Sequence, residues 1–206
     1  MRKFKLAYFD FDGGRGEVAR LALHIGGIPF EDRRVGFKEW EALREQMPFQ
    51  ALPVLDVDGT VVAQSNTINR YVGRLVGLYP KDDWQALLCD EVMDAVEDLD
   101  HMIGDTIALP PDEKKRARAE LATGPIPRYL QQFQLRLEAA GGEYFADRRL
   151  TVGDLKVWMM VRWLRGGALD HVATDLTDRV APLLVEHAVR MATQPKIAAY
   201  YAARKK

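Results

Sequence analysis

The chain has 206 residues, a nearly even balance of 29 Lys+Arg against 30 Asp+Glu, and 48% hydrophobic residues. That length suits one large domain or two small ones with cores of their own, and a formal net charge of −1 gives no electrostatic footprint for nucleic acid. No apolar run approaches the roughly 18–20 residues that span a bilayer, the single Cys89 excludes an intrachain disulfide, a CxxC pair and a cysteine zinc site, and the four histidines lack metal-ligand spacing.

In chain order, FKLAYF (4–9) is a compact apolar and aromatic run suited to a buried strand. Its basic flank has no long apolar core or small-residue cleavage site, so a cytoplasmic protein without a membrane partner is expected. Arg15 to Ile25 carries Val18, Leu21, Ala22 and Ile25 at helical spacing, with Gly26-Gly27 as a left-handed stop. FEDRRV (30–35) alternates like an edge strand, and residues 38–46 allow a short helix ending before Pro48. PVLDV, Asp58-Gly59 and TVVA form a hairpin signal. Ser65 is placed to cap a helix with Ile68, Tyr71, Val72 and Leu75 on one side. A crossover helix between strands makes them parallel, and a hairpin makes them antiparallel, so a mixed four-stranded sheet follows.

After Tyr79–Asp83 the pattern is helical alone. Residues 84–105 line up Leu88, Val92, Val96, Leu99 and Ile103 on one face, with Asp90, Asp94 and Asp98 on another. Pro110-Pro111 breaks the chain, Asp112 suits a new helix start, and Ile126 to Ala140 is amphipathic up to Gly141-Gly142. LKVWMMVRWL (155–164) is apolar almost all round and belongs in the middle of a bundle. Thr151-Val152-Gly153-Asp154 before it reads as a capping box, a structural device. Helices over about 177–193 and 195–203 close the chain, the last opened by Pro195.

The ordered set KLAYF with Tyr8, GRGE (14–17), Trp40 with Arg44, PFQALPVLDVDG (48–59), AQS (63–65) and YFADRRLTVGDL (144–155) resembles the cytosolic glutathione transferases, most of all the sigma class and its prostaglandin D synthase relatives. The likeness runs over nearly the whole chain. It implies an α/β thioredoxin-like N-terminal domain at 1–80 that binds glutathione. It also implies an all-α helical bundle domain at 84–206 that lines the pocket for a second substrate.

Glutathione carries a thiol, an amine and two carboxylates. A free thiol of pKa ~8.5 is only a few per cent ionised at neutral pH, so an enzyme using it must stabilise the thiolate. Tyr8 ends the first strand, where open α/β sheets bind ligands, and the helix after it points a partly positive N-terminus the same way. By residue type alone Tyr8 also reads as a core aromatic; the resemblance makes it the catalytic tyrosine, assisted by Arg15. DFDGGRGE is one residue longer than the usual family loop, a length that Gly13-Gly14 can absorb. Asp10 and Asp12 there oppose a thiolate, and Arg15 is the expected counter-charge.

The resemblance also implies a cis bond before Pro53, with Leu52 pairing by backbone to the cysteinyl unit. Gln64 and Ser65 would hold the γ-glutamyl end, although Ser65 also reads as a plain helix cap. Trp40 and Arg44, one turn apart, would meet the glycine carboxylate, although Trp40 alone reads equally as a packed aromatic. Ala51 stands where the family often has lysine or glutamine, so one contact is missing. Asp98 matches an acid that reaches the γ-glutamyl amine of a partner subunit, or else is a solvated helix acid. The first reading requires a homodimer, with exposed Phe49 as an interface anchor. Phe9 and Met102 would border the second-substrate pocket, which Asp100 and His101 make more polar.

The expected activity is therefore glutathione transfer to a small hydrophobic electrophile, with glutathione as co-substrate and no metal. A glutathione-dependent isomerase or peroxidase would use the same thiolate. A non-catalytic, crystallin-like relative would keep the scaffold without ionising the thiol.

Overall fold

Strand β1 (Phe4–Phe9) leads through helix α1 (Gly14–Ile25) to strand β2 (Glu31–Val35) in a computed structural model that describes residues 2–204. The intervening helix returns the chain to the starting end, so β1 and β2 pair in parallel. Strands β3 (Val54–Val57) and β4 (Thr60–Ala63) form an antiparallel hairpin, and β3 is antiparallel to β1. The order β2-β1-β3-β4 is the mixed four-stranded sheet expected from the sequence. At the hairpin turn Asp58 and Gly59 take φ of 54° and 89°, the left-handed pair that a two-residue turn needs. Asp58 also ties the turn to the start of β1, accepting the Lys3 N–H at 2.8 Å and donating its own N–H to the Lys3 carbonyl at 3.1 Å.

Side chains alternate across this sheet. Ala7, Val35, Val54 and Ala63 form one apolar face, covered by Trp40, Leu43, Met47 and Leu52. The covering segment is helix α2 (Phe37–Leu43) followed by tight 3-10 turns at Arg44–Gln46 and Pro48–Gln50, so the helix expected over 38–46 ends early. Leu6, Tyr8 and Leu55, all buried, alternate with that face and belong to the layer of α1 and helix α3 (Ser65–Val76). Helix α3 begins one residue differently from the expectation. Gln64 is its cap residue and Ser65 its first helical residue, with no side-chain cap bond from Gln64.

The chain divides into two compact units, Met1–Tyr79 with Pro195–Lys206, and Pro80–Gln194. The final helix, numbered α10 (Pro195–Ala202), packs on α1 in the first unit, burying Ile197 and Tyr200. Lys196 Nζ there donates to the Ile25 carbonyl at 2.6 Å.

The second unit is helical throughout: α4 (Asp83–Gly104), α5 (Pro111–Thr123), α6 (Pro125–Ala139), α7 (Val152–Arg165), α8 (Leu176–Val180) and α9 (Pro182–Thr193). The single helix read over 177–193 is two, because Pro182 has no N–H for an α8 turn to accept and instead starts α9. Residues 152–161 of α7 are all buried, as its apolar run requires. Asp154 and Lys156 are the exceptions in chemistry; Lys156 is 2% exposed because its ammonium pairs with Glu97 at 2.6 Å. The capping box is complete: Asp154 Oδ2 accepts the Thr151 N–H at 2.8 Å and its hydroxyl at 2.7 Å, while Thr151 Oγ1 accepts the Asp154 N–H at 3.4 Å.

Candidate active site

Sheet register brings the chemistry to one end. Ala7 pairs with Val54, and Val54 with Ala63. The residues one step beyond each of these are Tyr8, Pro53 and Gln64, so the ends of three strands meet in one row. The Leu52–Pro53 bond is cis, and Pro53 is buried. Gln64 is exposed at φ 75°, an uncommon conformation for a residue with a side chain, and Ser65 behind it is buried at the start of α3.

Tyr8 is 5% exposed, and its hydroxyl accepts the backbone N–H of Arg15 at 3.0 Å. Arg15 lies in the first turn of α1, so the phenol oxygen sits at the positive end of that helix. Two glycines make room for it. A methyl group at Gly16 would lie 2.3 Å from Tyr8 Cγ, and one at Gly14 would lie 2.5 Å from the Tyr8 hydroxyl oxygen. Gly13 and Gly14 carry φ of 135° and 65°, so the loop turns into α1 where only glycine is comfortable.

The aromatic surroundings are denser than the sequence suggested. Phe9 lies edge-on to Tyr8 (5.4 Å) and Trp40 (5.8 Å), and stacks on Phe37 (5.2 Å) and Phe11 (6.3 Å). Trp40 is half-buried against the α2 side of the sheet, and Arg44 is exposed one turn on, its N–H bonded to the Trp40 carbonyl. Asp98 is exposed and Met102 half-buried on α4, in the second unit.

The loop carboxylates are paired with arginines from other elements. Asp10 and Asp12 are met by Arg34, at 3.3 and 3.2 Å, and Asp12 also by Arg204 at 3.0 Å. These two arginines lie on β2 and after α10. Beneath Tyr8 lies Arg20, fully buried, its guanidinium carbon 5.6 Å from the phenol ring centroid. Its partner Glu17 is also fully buried; burial pushes that carboxyl up, and Arg20 opposes the shift. Sequence reading missed this pair, although Glu17 and Arg20 stand three apart on the buried face of α1. That spacing was the available signal.

The chain's own thiol is not a candidate nucleophile: Cys89 is buried, and burial pushes it up to about 12. Among the described residues no cluster of three or more His, Cys, Asp or Glu could hold a metal ion, and no helix is long and apolar enough to cross a membrane.

A sheet of this topology, with a tyrosine hydroxyl at a helix N-terminus beside a cis-proline strand start, and with a helical unit following in the chain, defines a thioredoxin-like domain joined to an all-helical one. Residues 5–74 match the family model "Glutathione S-transferase, N-terminal domain", and residues 97–204 match "Glutathione S-transferase, C-terminal domain". The chain is 35% identical over 161 residues to Glutathione S-transferase 1 of Ascaris suum, covering 76% of this chain and 78% of that one. Among solved structures, the prostaglandin synthase D of Nilaparvata lugens superimposes with a TM-score of 0.87 at 28% identity, covering 98% of both chains. The sigma class GST of Fasciola hepatica does so with 0.83 at 26% identity, covering 100% of this chain and 98% of that one. The chain belongs to the glutathione S-transferase family.

Proposed function

We propose that this protein works as a glutathione transferase by holding the sulfur of glutathione as a thiolate between the Tyr8 hydroxyl and the N-terminus of α1. The observation that carries the reading is the 3.0 Å bond from the Arg15 N–H to the Tyr8 oxygen. A hydroxyl that accepts from a helix end is polarised, and it gives its own proton more strongly to an anion.

The magnitudes are adequate. Lowering a thiol pKa by ~2 units means stabilising the thiolate by about 3 kcal/mol. One hydrogen bond to a charged acceptor contributes about 1.5–3 kcal/mol, and a helix end about 0.3–1 kcal/mol. Arg15 adds a full positive charge at the same turn. The thiol proton leaves to solvent, the sulfur lone pair forms a bond to an electrophilic carbon, and the leaving group departs with its electron pair.

Glutathione is the co-substrate. Trp40 and Arg44 would take its glycine carboxylate, the Leu52 backbone beside Pro53 its cysteinyl unit, and Gln64 with Ser65 its γ-glutamyl end, where α3 presents N–H groups. A small hydrophobic electrophile would be received next to Phe9 and Met102. The reading extends to a homodimer in which Asp98 reaches the partner's γ-glutamyl amine, and to residence in the cytoplasm. A monomer mass at working concentration, or recovery in a membrane fraction, would count against these two extensions.

The decisive test is the ultraviolet difference spectrum of bound glutathione across pH for wild type and Tyr8→Phe. A thiolate signal near neutral pH is expected in the wild type, moving up by about one unit or more in the variant. If bound glutathione titrates in both proteins as it does in water, Tyr8 is not the activating group and a binding-only protein is the better description.

A further inference from the structure

The segment Pro195–Lys206 belongs to the first unit, and within it the polar contacts of Tyr201 and Arg204 converge on the loop that follows Tyr8 and the residues around it. Between the end of β1 at Phe9 and the start of α1 at Gly14, the backbone is irregular. Its own backbone anchors are sparse: the Asp10 N–H donates to the Val35 carbonyl at 3.1 Å, and the Phe11 N–H to the Phe9 carbonyl at 3.0 Å.

A buried guanidinium supplies the rest. Arg20 donates through Nη2 to the Phe9 carbonyl (3.2 Å) and through Nη1 to the Phe11 carbonyl (3.1 Å), gripping the loop on both sides of Asp10. The same side chain donates to Glu17 (3.1 Å) and to Asp32 on β2 (2.8 Å). Both of these carboxylates are then held from the chain's far end. Glu17 accepts the Tyr201 hydroxyl at 3.0 Å, and Arg204 lies 3.8 Å from Asp32 and 3.0 Å from Asp12 of the loop. Arg204 is itself steadied by the Tyr200 hydroxyl and ring.

Glu17 and Arg20 come from α1, Asp32 and Arg34 from β2, Asp10 and Asp12 from the loop, and Tyr201 and Arg204 from the C-terminal segment. The carboxylates in this set, Asp10, Asp12, Glu17 and Asp32, outnumber its arginines, Arg20, Arg34 and Arg204. Each arginine therefore offsets negative charge that would otherwise oppose a thiolate beside Tyr8.

We propose that Tyr201 and Arg204 are positioning residues for the Tyr8 site, clamping the Asp10–Gly13 loop through Asp12 and the Glu17–Arg20–Asp32 cluster. The proposal rests on the Tyr8 reading above. The loop makes few backbone bonds of its own and enters α1 through two positive-φ glycines, Gly13 and Gly14, so its backbone needs an external hold, and the turn after α10 provides one. Arg204 acts in two ways, by fixing Asp12 and by cancelling its charge. Tyr201 acts by fixing Glu17 and carries no charge of its own, so its loss should matter less.

The test uses the full chain with Arg204→Gln, Arg204→Lys and Tyr201→Phe, turned over with glutathione and chlorodinitrobenzene. In Arg204→Gln the pKa governing kcat/KM is expected to rise by about half a unit or more. At neutral pH, kcat should fall at least about three-fold while KM for glutathione stays within about two-fold. Arg204→Lys should restore most of the loss by keeping the charge. Tyr201→Phe should give a smaller shift in the same direction. Amide hydrogen exchange of peptides covering residues 9–15 should quicken in Arg204→Gln, whereas peptides from 125–165 should not.

Unchanged pH profiles and unchanged exchange in all three variants, in a protein whose wild type ionises glutathione, would overturn the clamp alone. A fall in melting temperature that carries every peptide's exchange up together would also overturn it, since that describes a structural role. A wild type that never ionises glutathione would overturn the functional reading, and the catalytic role of the clamp with it.

Discussion

Tyr8 owes its place to what its neighbours lack. The phenol ring lies so near α1 that a single methyl group at Gly16 would meet it at 2.3 Å. The backbone of Gly16 is helical, so the constraint there is closeness of approach and not backbone angle. Gly16→Ala should cost about 1–3 kcal/mol, the usual result of overfilling a packed site. It should also move the hydroxyl off the Arg15 N–H, so that turnover falls by about ten-fold or more even where the protein stays folded. A melting curve paired with the pH titration of bound glutathione checks both. A variant that matches wild type in melting and in titration would mean that the ring is not held against α1. The motifs KLAYF and GRGE were visible in the sequence, and Tyr8 and Arg15 were picked from them. The contact between them was not legible, because it is a backbone donor meeting a side chain seven residues away across a turn. Arg20 escaped notice for a related reason: a charged residue on an apolar helix face looks misplaced until its partners, two of them carbonyls, are seen.

At the level of single elements, local chemistry was the better guide. The Thr151–Asp154 box was identified from four residues and is fully formed. It does more than cap α7, since Asp154 Oδ1 also accepts the buried Phe145 N–H at 3.0 Å and lies 3.1 Å from His187 Nε2. Asp154→Ala would therefore leave the Thr151 and Phe145 N–H groups buried without their acceptor. At about 1–3 kcal/mol for each such group, the loss should reach about 3 kcal/mol or more, read from the urea midpoint. A loss below about 1 kcal/mol would show that water replaces the carboxylate easily. Helix ends governed by proline and glycine were also found, Pro195 and Gly141-Gly142 among them. Where two signals competed the reading slipped. Ser65 looked like a cap by composition, but the chain enters α3 through a positive-φ Gln64 and makes Ser65 the first helical residue. Pro182 was absorbed into a longer amphipathic pattern, although it starts a helix of its own.

Across the whole molecule, the informative feature is an exposed side chain in a costly conformation. Phe49 is 77% exposed with φ 55°, a position in which neither burial nor backbone preference repays the residue within one protomer. The proposed homodimer would supply the missing burial. Phe49→Ala is expected to shift the mass seen by sedimentation velocity from dimer towards monomer, with a loss of about 2 kcal/mol or more in association. With Asp98 then lacking its place beside the partner's site, glutathione affinity should fall as well. A wild type that sediments as a monomer, or a variant that remains as dimeric as wild type, would remove Phe49 from that role.

By itself the sequence determined the strand and helix order, the mixed sheet and the family. These rest on short-range periodicity, turn residues and motif order, which survive without knowledge of contacts. Tertiary structure alone decided which charges pair around the loop after Tyr8. Asp10 and Asp12 are met by Arg34 and Arg204, and α10 packs on α1. Electrostatic partners are chosen by distance in space, and residues 12 and 204 carry no mark of each other in the chain. The pairing of buried Lys156 with Glu97, 59 residues away on α4, was decided in the same way. A charge can be buried only where folding delivers its counter-charge, and that delivery depends on the packing of elements far apart in sequence.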